Sequence, residues 1–228
     1  MNEKQIIKKL NEKTVFNIQE MQRILNSSRE YTKLVLNRLV NRESIKRIKK
    51  NSYTLQDDPV VISTNIVYPS YLSFWSASSY KGYTEQILNT IQIATTKKLN
   101  NLTFQNQKIE FVKIKSPFGY EKIKTKYGEL FLALDEKLII DSLEHQKRMG
   151  NFDEIEKIIE NSKIDKLKMV DFLKRNKNQS TVKRVGYLLE EIKNMDLSKK
   201  FTLDKNYIKL NKLSNKSSKI NSKWKVKI

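Results

Sequence analysis

The stretch from residue 27 to residue 55, SSREYTKLVLNRLVNRESIKRIKKNSYTL, decides the fold of the N-terminal region. Its first half predicts a helix, because side chains suited to burial recur at positions i, i+3, i+4 and i+7. The inward face of this helix is formed by Thr32, Val35, Leu36 and Leu39. Ser27 and Glu30 have the spacing of a capping box, so we expect the helix to begin directly after Ser27 and to end near Arg42.

The second half of the same stretch predicts a basic β-hairpin. Ile45–Ile48 alternates apolar and basic side chains, as a half-buried strand does, and Tyr53–Leu55 is a second strand after the polar turn 49–52. Two short amphipathic helices precede this stretch. Their inward side chains are Ile6, Ile7 and Leu10 in the first helix and Ile18, Met21, Ile24 and Leu25 in the second. Three helices and a hairpin within residues 1–57 predict a winged helix-turn-helix domain.

This domain type predicts DNA binding, because its third helix enters the major groove and a basic hairpin can hold phosphates. The side chains expected to contact DNA lie on the outward face of the third helix or on the hairpin. They are Ser28, Arg29, Tyr31, Lys33, Asn37, Arg38, Lys46, Arg47, Lys49 and Lys50. Arg29 can bind guanine and Asn37 can bind adenine, each through two hydrogen bonds. The alternative is a winged helix that binds protein, in which the charged helix face is only solvated.

The charge of the chain favours a polyanionic partner. The 228 residues include 45 Lys and Arg against 25 Asp and Glu, which gives a net charge of +20. Both ends are more basic than the middle, which suits a polyanion such as DNA or RNA and predicts salt-sensitive binding. The alternative is that surface lysine serves only solubility. Hydrophobic residues make up 38% of the chain, enough for a core of ordinary size.

The composition excludes several classes of site. The chain has no Cys, so disulfides, thiolate metal sites and a cysteine nucleophile are excluded. His145 is the only histidine and cannot form a multi-histidine metal site. No apolar run approaches the ~20 residues that span a bilayer, and residues 1–10 lack the apolar core of a signal peptide. We therefore expect a cytoplasmic protein without a cofactor.

The sequence after residue 57 predicts a mixed α+β domain over residues 58–195. Short helical segments are expected at Val60–Asn65 and, largely buried, at Ser70–Lys81, with Gly82 ending the second. Short strands are expected at Thr90–Thr95, Leu102–Phe104, Ile109–Ile114, Tyr120–Lys124 and Glu129–Ala133. Helices follow from Asp153, so the whole chain is predicted to be an α+β protein with strands preceding helices in this domain.

Residues 196–228 form a basic C-terminal segment. Trp224, Val226 and Ile228 alternate with polar residues and need burial, so we expect the segment to pack in part on the second domain. The alternative is a flexible basic arm that becomes ordered on a partner.

Several short motifs resemble the AbiEi antitoxins of type IV toxin–antitoxin systems. They are YPSYLSFWSA at 68–77 with Gly82 and Thr84–Gln86, ATTK at 94–97, FGY at 118–120, Glu136–Lys137 with Asp141, RVGYLLE at 184–190 and NSKW at 221–224. These motifs stand in the order found in that family, after the predicted winged helix, and the resemblance covers nearly the whole chain.

The resemblance implies an N-terminal domain that represses its own operon and a C-terminal domain that counters a nucleotidyltransferase toxin without a stable complex. We expect an inverted-repeat operator bound by two copies, with the oligomeric state in solution left open. A stand-alone regulator without a toxin is the alternative. Candidates for the surface that counters the toxin are Lys97, Lys98, Lys113, Lys115, Lys122, Lys124 and Lys126, and the alternative is scattered, solvated lysine.

An enzyme is the less favoured hypothesis. Asp135, Glu136 and Lys137, joined by Glu110 with Lys113, could contribute to a metal-dependent nuclease, which needs two or three converging carboxylates. A simpler interpretation is that Asp135 caps a helix and Glu136 is an acid in its first turn. His145 is expected near the end of that helix, where a cation is favourable. We therefore expect no enzymatic activity.

Overall fold

The structure, a computed structural model, describes residues 1–86, 88–214 and 219–228. Within these residues the protein is a mixed α+β fold, as predicted. The chain divides into two compact units: unit 1 comprises Met1–Leu72, Asn89–Ile114 and Lys122–Phe131, and unit 2 comprises Ser73–Leu88, Lys115–Glu121 and Leu132–Ile228. The division into domains 1–57, 58–195 and 196–228 remains a prediction from the sequence.

Unit 1 begins with three helices and a small sheet around one apolar core. Its elements are α1 (Glu3–Leu10), β1 (Phe16–Asn17), α2 (Ile18–Leu25), α3 (Arg29–Asn41), β2 (Lys46–Lys49) and β3 (Ser52–Thr54). The strands are antiparallel in the order β1-β3-β2. All side chains predicted to face inward from the three helices are buried or partly buried in this core, which the hairpin closes through Ile45 and Tyr53.

Local sequence sets the limits of these helices. Asn2 caps α1 and Asn17 caps α2, each in a reciprocal pair with the residue three positions later. The predicted capping box of Ser27 and Glu30 was wrong, because Ser28 is the N-cap of α3 and its Oγ accepts from the Tyr31 amide at 3.2 Å. The Ser27 hydroxyl instead forms a 3.1 Å hydrogen bond with the Thr32 hydroxyl, which is completely buried.

A larger sheet completes unit 1 and extends slightly beyond it. It follows helix α4 (Pro59–Ser63) and contains β4 (Ser70–Leu72), β5 (Thr90–Thr95), β6 (Leu102–Phe104), β7 (Gln107–Lys113), β8 (Tyr120–Thr125) and β9 (Gly128–Ala133). The strand order is β6-β7-β5-β4-β9-β8, with β5 and β7 parallel. Every strand predicted in this region is present, with limits within two residues.

The buried helix predicted at Ser70–Lys81 was wrong in its first part. Residues 70–72 form β4, where Tyr71 and Leu72 pair with Ala94 and Ile93 of β5. Both side chains are buried on a strand that lies inside the sheet, so this short run lacks the alternation that distinguishes a strand from a helix. The helix itself, α5, spans Phe74–Tyr80.

Unit 2 is mainly helical. After α5 it contains α6 (Asp135–Glu144), a 3₁₀ turn (Gln146–Arg148), α7 (Asp153–Asn161), α8 (Lys166–Asn176) and α9 (Gln179–Lys193). Helix α6 contacts the other four helices and is buried over most of its length. Its buried Lys137 pairs with Asp141, which also accepts from the Ser73 hydroxyl at 2.8 Å, so the two buried charges compensate each other.

The described part of the basic C-terminal segment packs on α9. It forms the short strands β10 (Ile208–Lys209), β11 (Ile220–Asn221) and β12 (Val226–Lys227). Trp224 is completely buried over Gly186, where an added Cβ would lie 2.1 Å from the indole ring. The indole Nε1 donates to Glu190 at 2.6 Å. The predicted Lys-Ser-Asn run at 211–222 lies partly outside the described residues.

None of the helices in the described residues combines the length and the apolar character that crossing a membrane requires.

Candidate nucleic-acid interface

Helix α3 is fixed by one buried face. Thr32, Val35, Leu36 and Leu39 are 0–9% exposed and belong to, or adjoin, the N-terminal core. The three-residue turn 26–28 sets the position of α3 relative to α2, and Asn26 adopts the left-handed conformation (φ 49°) that ends α2. Asparagine tolerates this conformation better than most residues. The opposite face of α3 is therefore directed toward solvent.

All the predicted DNA contacts on α3 are exposed: Ser28, Arg29, Tyr31, Lys33, Asn37 and Arg38. At ~100° per residue, Arg29, Lys33 and Asn37 follow one another along one flank of the exposed arc. Tyr31 and Arg38 lie on the other flank by the same geometry. The six residues thus share the outward half of the helix but do not form a single row.

Ser28 differs from the other five because its side chain already has a structural role. Its Oγ accepts the Tyr31 amide as the N-cap of α3. The hydroxyl hydrogen remains free to donate, so Ser28 can contact an acceptor at the start of the helix while keeping its capping bond.

The hairpin presents its cations unequally. Arg47 and Lys50 are exposed and Lys49 is half-buried, with Lys50 at the tip beside Asn51 (φ 61°). Lys46 is half-buried and forms an ion pair with Asp57. Because Asp57 partly neutralises Lys46, the charge of this lysine is the least available among the four cations predicted to bind DNA from the hairpin.

Six cations of this surface have no compensating carboxylate. They are Arg29, Lys33, Arg38, Arg47, Lys49 and Lys50, none of which forms an ion pair with any residue that the structure describes. By contrast, the neighbouring Arg42 pairs with Glu3 at 2.8 Å. Glu30 is also exposed on α3, but these cations outnumber it, and an excess of positive charge creates a field that attracts a polyanion. We call these six residues the cationic surface.

One residue of the outward face was missed by the sequence reasoning. Leu34 is 56% exposed, and Tyr31, one turn earlier, is 51% exposed. Leu34 lies near the middle of the exposed arc, roughly 150° from the centre of the buried face. A helical projection of the sequence contains this signal, since Leu34 falls outside the inward set. A leucine in that position can contact the methyl group of thymine.

The lysines considered for a second surface do not form one cluster. Lys97, Lys98, Lys113, Lys115, Lys122, Lys124 and Lys126 are all exposed. However, β7 and β8, which carry Lys113 and Lys122, lie at opposite sides of the sheet with β5, β4 and β9 between them. At ~4.8 Å per strand spacing, these two lysines are separated by roughly 19 Å across the sheet. Lys122 also pairs with Glu129 at 2.9 Å.

The two carboxylates considered for a nuclease take part in internal hydrogen bonds. Asp135 accepts from Lys81 Nζ at 2.7 Å, from the Tyr83 hydroxyl at 2.9 Å and from the Lys163 amide at 3.1 Å. Burial and the bond to Asp135 raise the pKa of Tyr83. Glu136 is 4% exposed and accepts from the Asp165 amide at 2.8 Å. Among the described residues, no group of three His, Asp or Glu side chains could hold a metal ion.

Of the two expectations for α6, the cap at Asp135 was wrong and the position of His145 at the helix end is confirmed. Asp135 is not the N-cap, because Leu134 occupies that position and Asp135 is the first residue of the helix. His145 does lie at the C-terminal end, but burial lowers its pKa, so the ring is neutral near pH 7 and does not act there as a cation. Its ring packs edge-on against Phe74, with 5.5 Å between the centroids.

Comparison with known proteins yields no match: neither a protein-family model nor a curated protein corresponds to this sequence at a significant level.

Proposed function

We propose that the N-terminal part of unit 1 is a winged helix-turn-helix that binds double-stranded DNA, and that the protein is a sequence-specific transcriptional regulator. The observation that carries this proposal is the cationic surface, which combines exposed charges on α3 with exposed or half-buried charges on the β2–β3 hairpin, without ion pairs to the residues that the structure describes. In this arrangement α3 enters the major groove and the hairpin lies against the sugar–phosphate backbone.

The two parts of the surface have different tasks. Arg29 and Asn37 share one flank of α3 and supply bidentate hydrogen bonds to guanine and adenine, which gives sequence preference. Arg47, Lys49 and Lys50 bind phosphates and fix the register without selecting a sequence. A protein-binding winged helix is less well supported, because such a surface does not need six uncompensated cations.

The resemblance to AbiEi antitoxins extends this proposal. On that basis the protein represses its own operon by binding an inverted repeat, and its second part counters a nucleotidyltransferase toxin. A stand-alone regulator is the alternative. Co-expression with a nucleotidyltransferase encoded beside it distinguishes the two, since rescue of growth by the full chain supports the antitoxin function and continued growth arrest supports the stand-alone regulator.

DNA binding is tested by fluorescence anisotropy with a duplex from the region upstream of its own gene and with a scrambled duplex. Arg29→Ala with Lys33→Ala is expected to abolish the preference for the upstream duplex, because the helix flank contacts bases. Lys49→Ala with Lys50→Ala is expected to weaken both complexes equally. It should also reduce the slope of log K against log salt by about 1.8, since two phosphate contacts are lost.

The matched control is Lys8→Ala with Lys9→Ala, which removes two exposed lysines from α1 and changes the net charge by the same amount. This control should bind both duplexes much as the unchanged protein does. Equal behaviour of all four proteins, or no DNA binding by any of them, would contradict the proposal.

A further inference from the structure

A cleft of about 400 Å³ lies in unit 2 where α6 ends. It is lined by Glu144, His145, Gln146, Lys147, Arg148 and Lys212. This volume suits a small ligand. The lining contains three basic side chains and one carboxylate, so the cleft carries an excess of positive charge.

The carboxylate forms no ion pair with the lysines of the cleft among the described residues, although its charge acts to raise the pKa of Lys212 against the larger effect of burial. Glu144 Oε1 accepts from the Asn178 side chain at 2.8 Å and from the Thr181 hydroxyl at 3.2 Å. Lys147 is exposed and forms no ion pair with any residue in the described ranges. Lys212 Nζ donates to the backbone carbonyl of Glu144 at 3.0 Å. That bond offsets the partial negative charge of the carbonyl end of α6, which by itself disfavours an anion.

A buried glutamine holds this arrangement in place. Gln146 is 2% exposed, and its Nε2 donates to the Leu210 carbonyl at 2.9 Å. Its Oε1 accepts the backbone amide of Lys212 at 2.6 Å. These two bonds fix residues 210–212 against the 3₁₀ turn, so Lys212 is positioned before any ligand arrives, which lowers the cost of binding.

A further cation lies close to Lys212 and has no carboxylate partner among the described residues. Arg184 is 5% exposed, and its Nε donates to the carbonyls of Lys209 at 2.9 Å and Leu210 at 3.2 Å. Burial lowers the pKa of Arg184 to about 10. Burial and, secondly, the charge of Arg184 lower the pKa of Lys212. Buried cations without an anion are costly, and an anion in the cleft would relieve that cost.

His145 adds a hydrogen-bonding group of a different kind. Its ring is half-buried, and burial lowers its pKa, so near pH 7 one ring nitrogen is an N–H donor and the other an acceptor. Neither nitrogen is hydrogen-bonded to a residue that the structure describes. The donor is therefore available to a ligand.

We propose that this cleft binds the phosphate group of a small molecule, with Lys147 and Lys212 as its charged contacts and His145 as a neutral hydrogen-bond donor. A phosphate group fits because it brings more charge than a carboxylate and offers three acceptor oxygens to donors from different sides. Inorganic phosphate and a phosphate ester such as a nucleotide share this chemistry. The site lies entirely within unit 2 and does not depend on DNA binding by unit 1.

The test uses the NMR signals of the imidazole ring, because His145 is the only histidine in the chain. The full chain is titrated with inorganic phosphate at constant ionic strength, with chloride as the balancing anion. We expect a saturable shift of the ring signals. Lys147→Met with Lys212→Met should weaken the apparent affinity by about tenfold or more, because two charge-assisted hydrogen bonds are lost. Lys174→Met, which removes an exposed lysine of α8, is the matched control and should leave the response unchanged.

A shift that does not saturate, or one that persists in the double variant, would overturn the proposal. The lysines would then serve only to offset the partial negative charge at the C-terminal end of α6. Titration with AMP distinguishes the sources: tighter binding than inorganic phosphate indicates a phosphate ester, and equal binding indicates free phosphate. If a DNA duplex moves the ring signals while inorganic phosphate does not, the cleft contacts a nucleic-acid backbone and the proposal fails.

Discussion

Leu34 allows base recognition by α3 to be tested at a single side chain. It is exposed between the two flanks of polar residues. An amphipathic helix on the surface of a protein normally has polar side chains on this face. If α3 lies in the major groove, Leu34 contacts a thymine methyl group, and loss of one buried methyl costs ~0.8 kcal/mol. Replacing that thymine with deoxyuridine should therefore weaken binding by about fourfold.

The same replacement should have little effect on Leu34→Ala, because the leucine side chain that covers the methyl group is gone. Anisotropy measurements on thymine and deoxyuridine versions of a duplex selected for tight binding give the four affinities needed. Leu167→Ala is the control, since Leu167 is a highly exposed leucine on α8. An equal loss in the unchanged protein and in Leu34→Ala would show that Leu34 does not contact the methyl group.

For individual residues, the local sequence pattern predicted which side chains are buried better than it predicted which side chains form ion pairs and hydrogen bonds with one another. The inward sets of all three N-terminal helices follow from helical spacing, and they are buried or partly buried. The ion pair between Lys46 and Asp57 could not be predicted in the same way, because no local periodicity links them. Asp135 also contacts Lys81 and Tyr83, which precede it by more than 50 residues. No local sequence pattern indicates these contacts.

The start of α3 is the element boundary whose energetics are clearest. Ser28→Ala removes the hydroxyl that accepts the Tyr31 amide and is expected to lower the free energy of unfolding by about 1 kcal/mol. Ser27→Ala should cost less, because the Thr32 hydroxyl keeps its 2.8 Å bond to the Ser28 carbonyl.

Urea unfolding followed by circular dichroism measures both changes. A larger loss for Ser27→Ala than for Ser28→Ala would favour the capping box that the sequence suggested. The two serines show why sequence predicts a cap more readily than its exact residue: adjacent hydroxyls have nearly the same spacing to the helix, and tertiary burial of Thr32 decides between them.

Elements inside the large sheet show where sequence patterns lose information. Thr90–Thr95 was predicted with its observed limits, but its parallel pairing with β7 was not predicted. Residues 70–72 were assigned to a helix because a buried strand and a buried helix have the same apolar character over three residues. Pairing with Ala94 and Ile93, more than 20 residues later, determines the strand.

At the scale of the whole chain, the two compact units have no signal in the local sequence. Unit 1 combines the first 72 residues with two later segments, and contacts between residues distant in sequence define it. Likewise, Gly186 and Trp224 are 38 positions apart, and nothing in either local sequence indicates that the indole covers the glycine. Long-range packing of this kind depends on shape, which composition and periodicity do not encode.

The two units predict that a destabilising substitution in the C-terminal segment lowers the stability of unit 2 and not that of unit 1. Trp224→Ala removes a completely buried indole that packs on Gly186 and donates to Glu190, all within unit 2. We expect a loss of ~3–5 kcal/mol in the stability of that unit, which is typical for deleting a large buried aromatic side chain.

Hydrogen exchange measured by mass spectrometry locates the effect. Amides of α6 and α9 should exchange faster in Trp224→Ala, while those of α3 should keep their protection, because local and sub-global opening follows compact units. DNA affinity at a temperature below the transition should then be unchanged. Equal acceleration in α3 and α9 would mean that the two units unfold together, and that the fold of the cationic surface depends on the C-terminal segment.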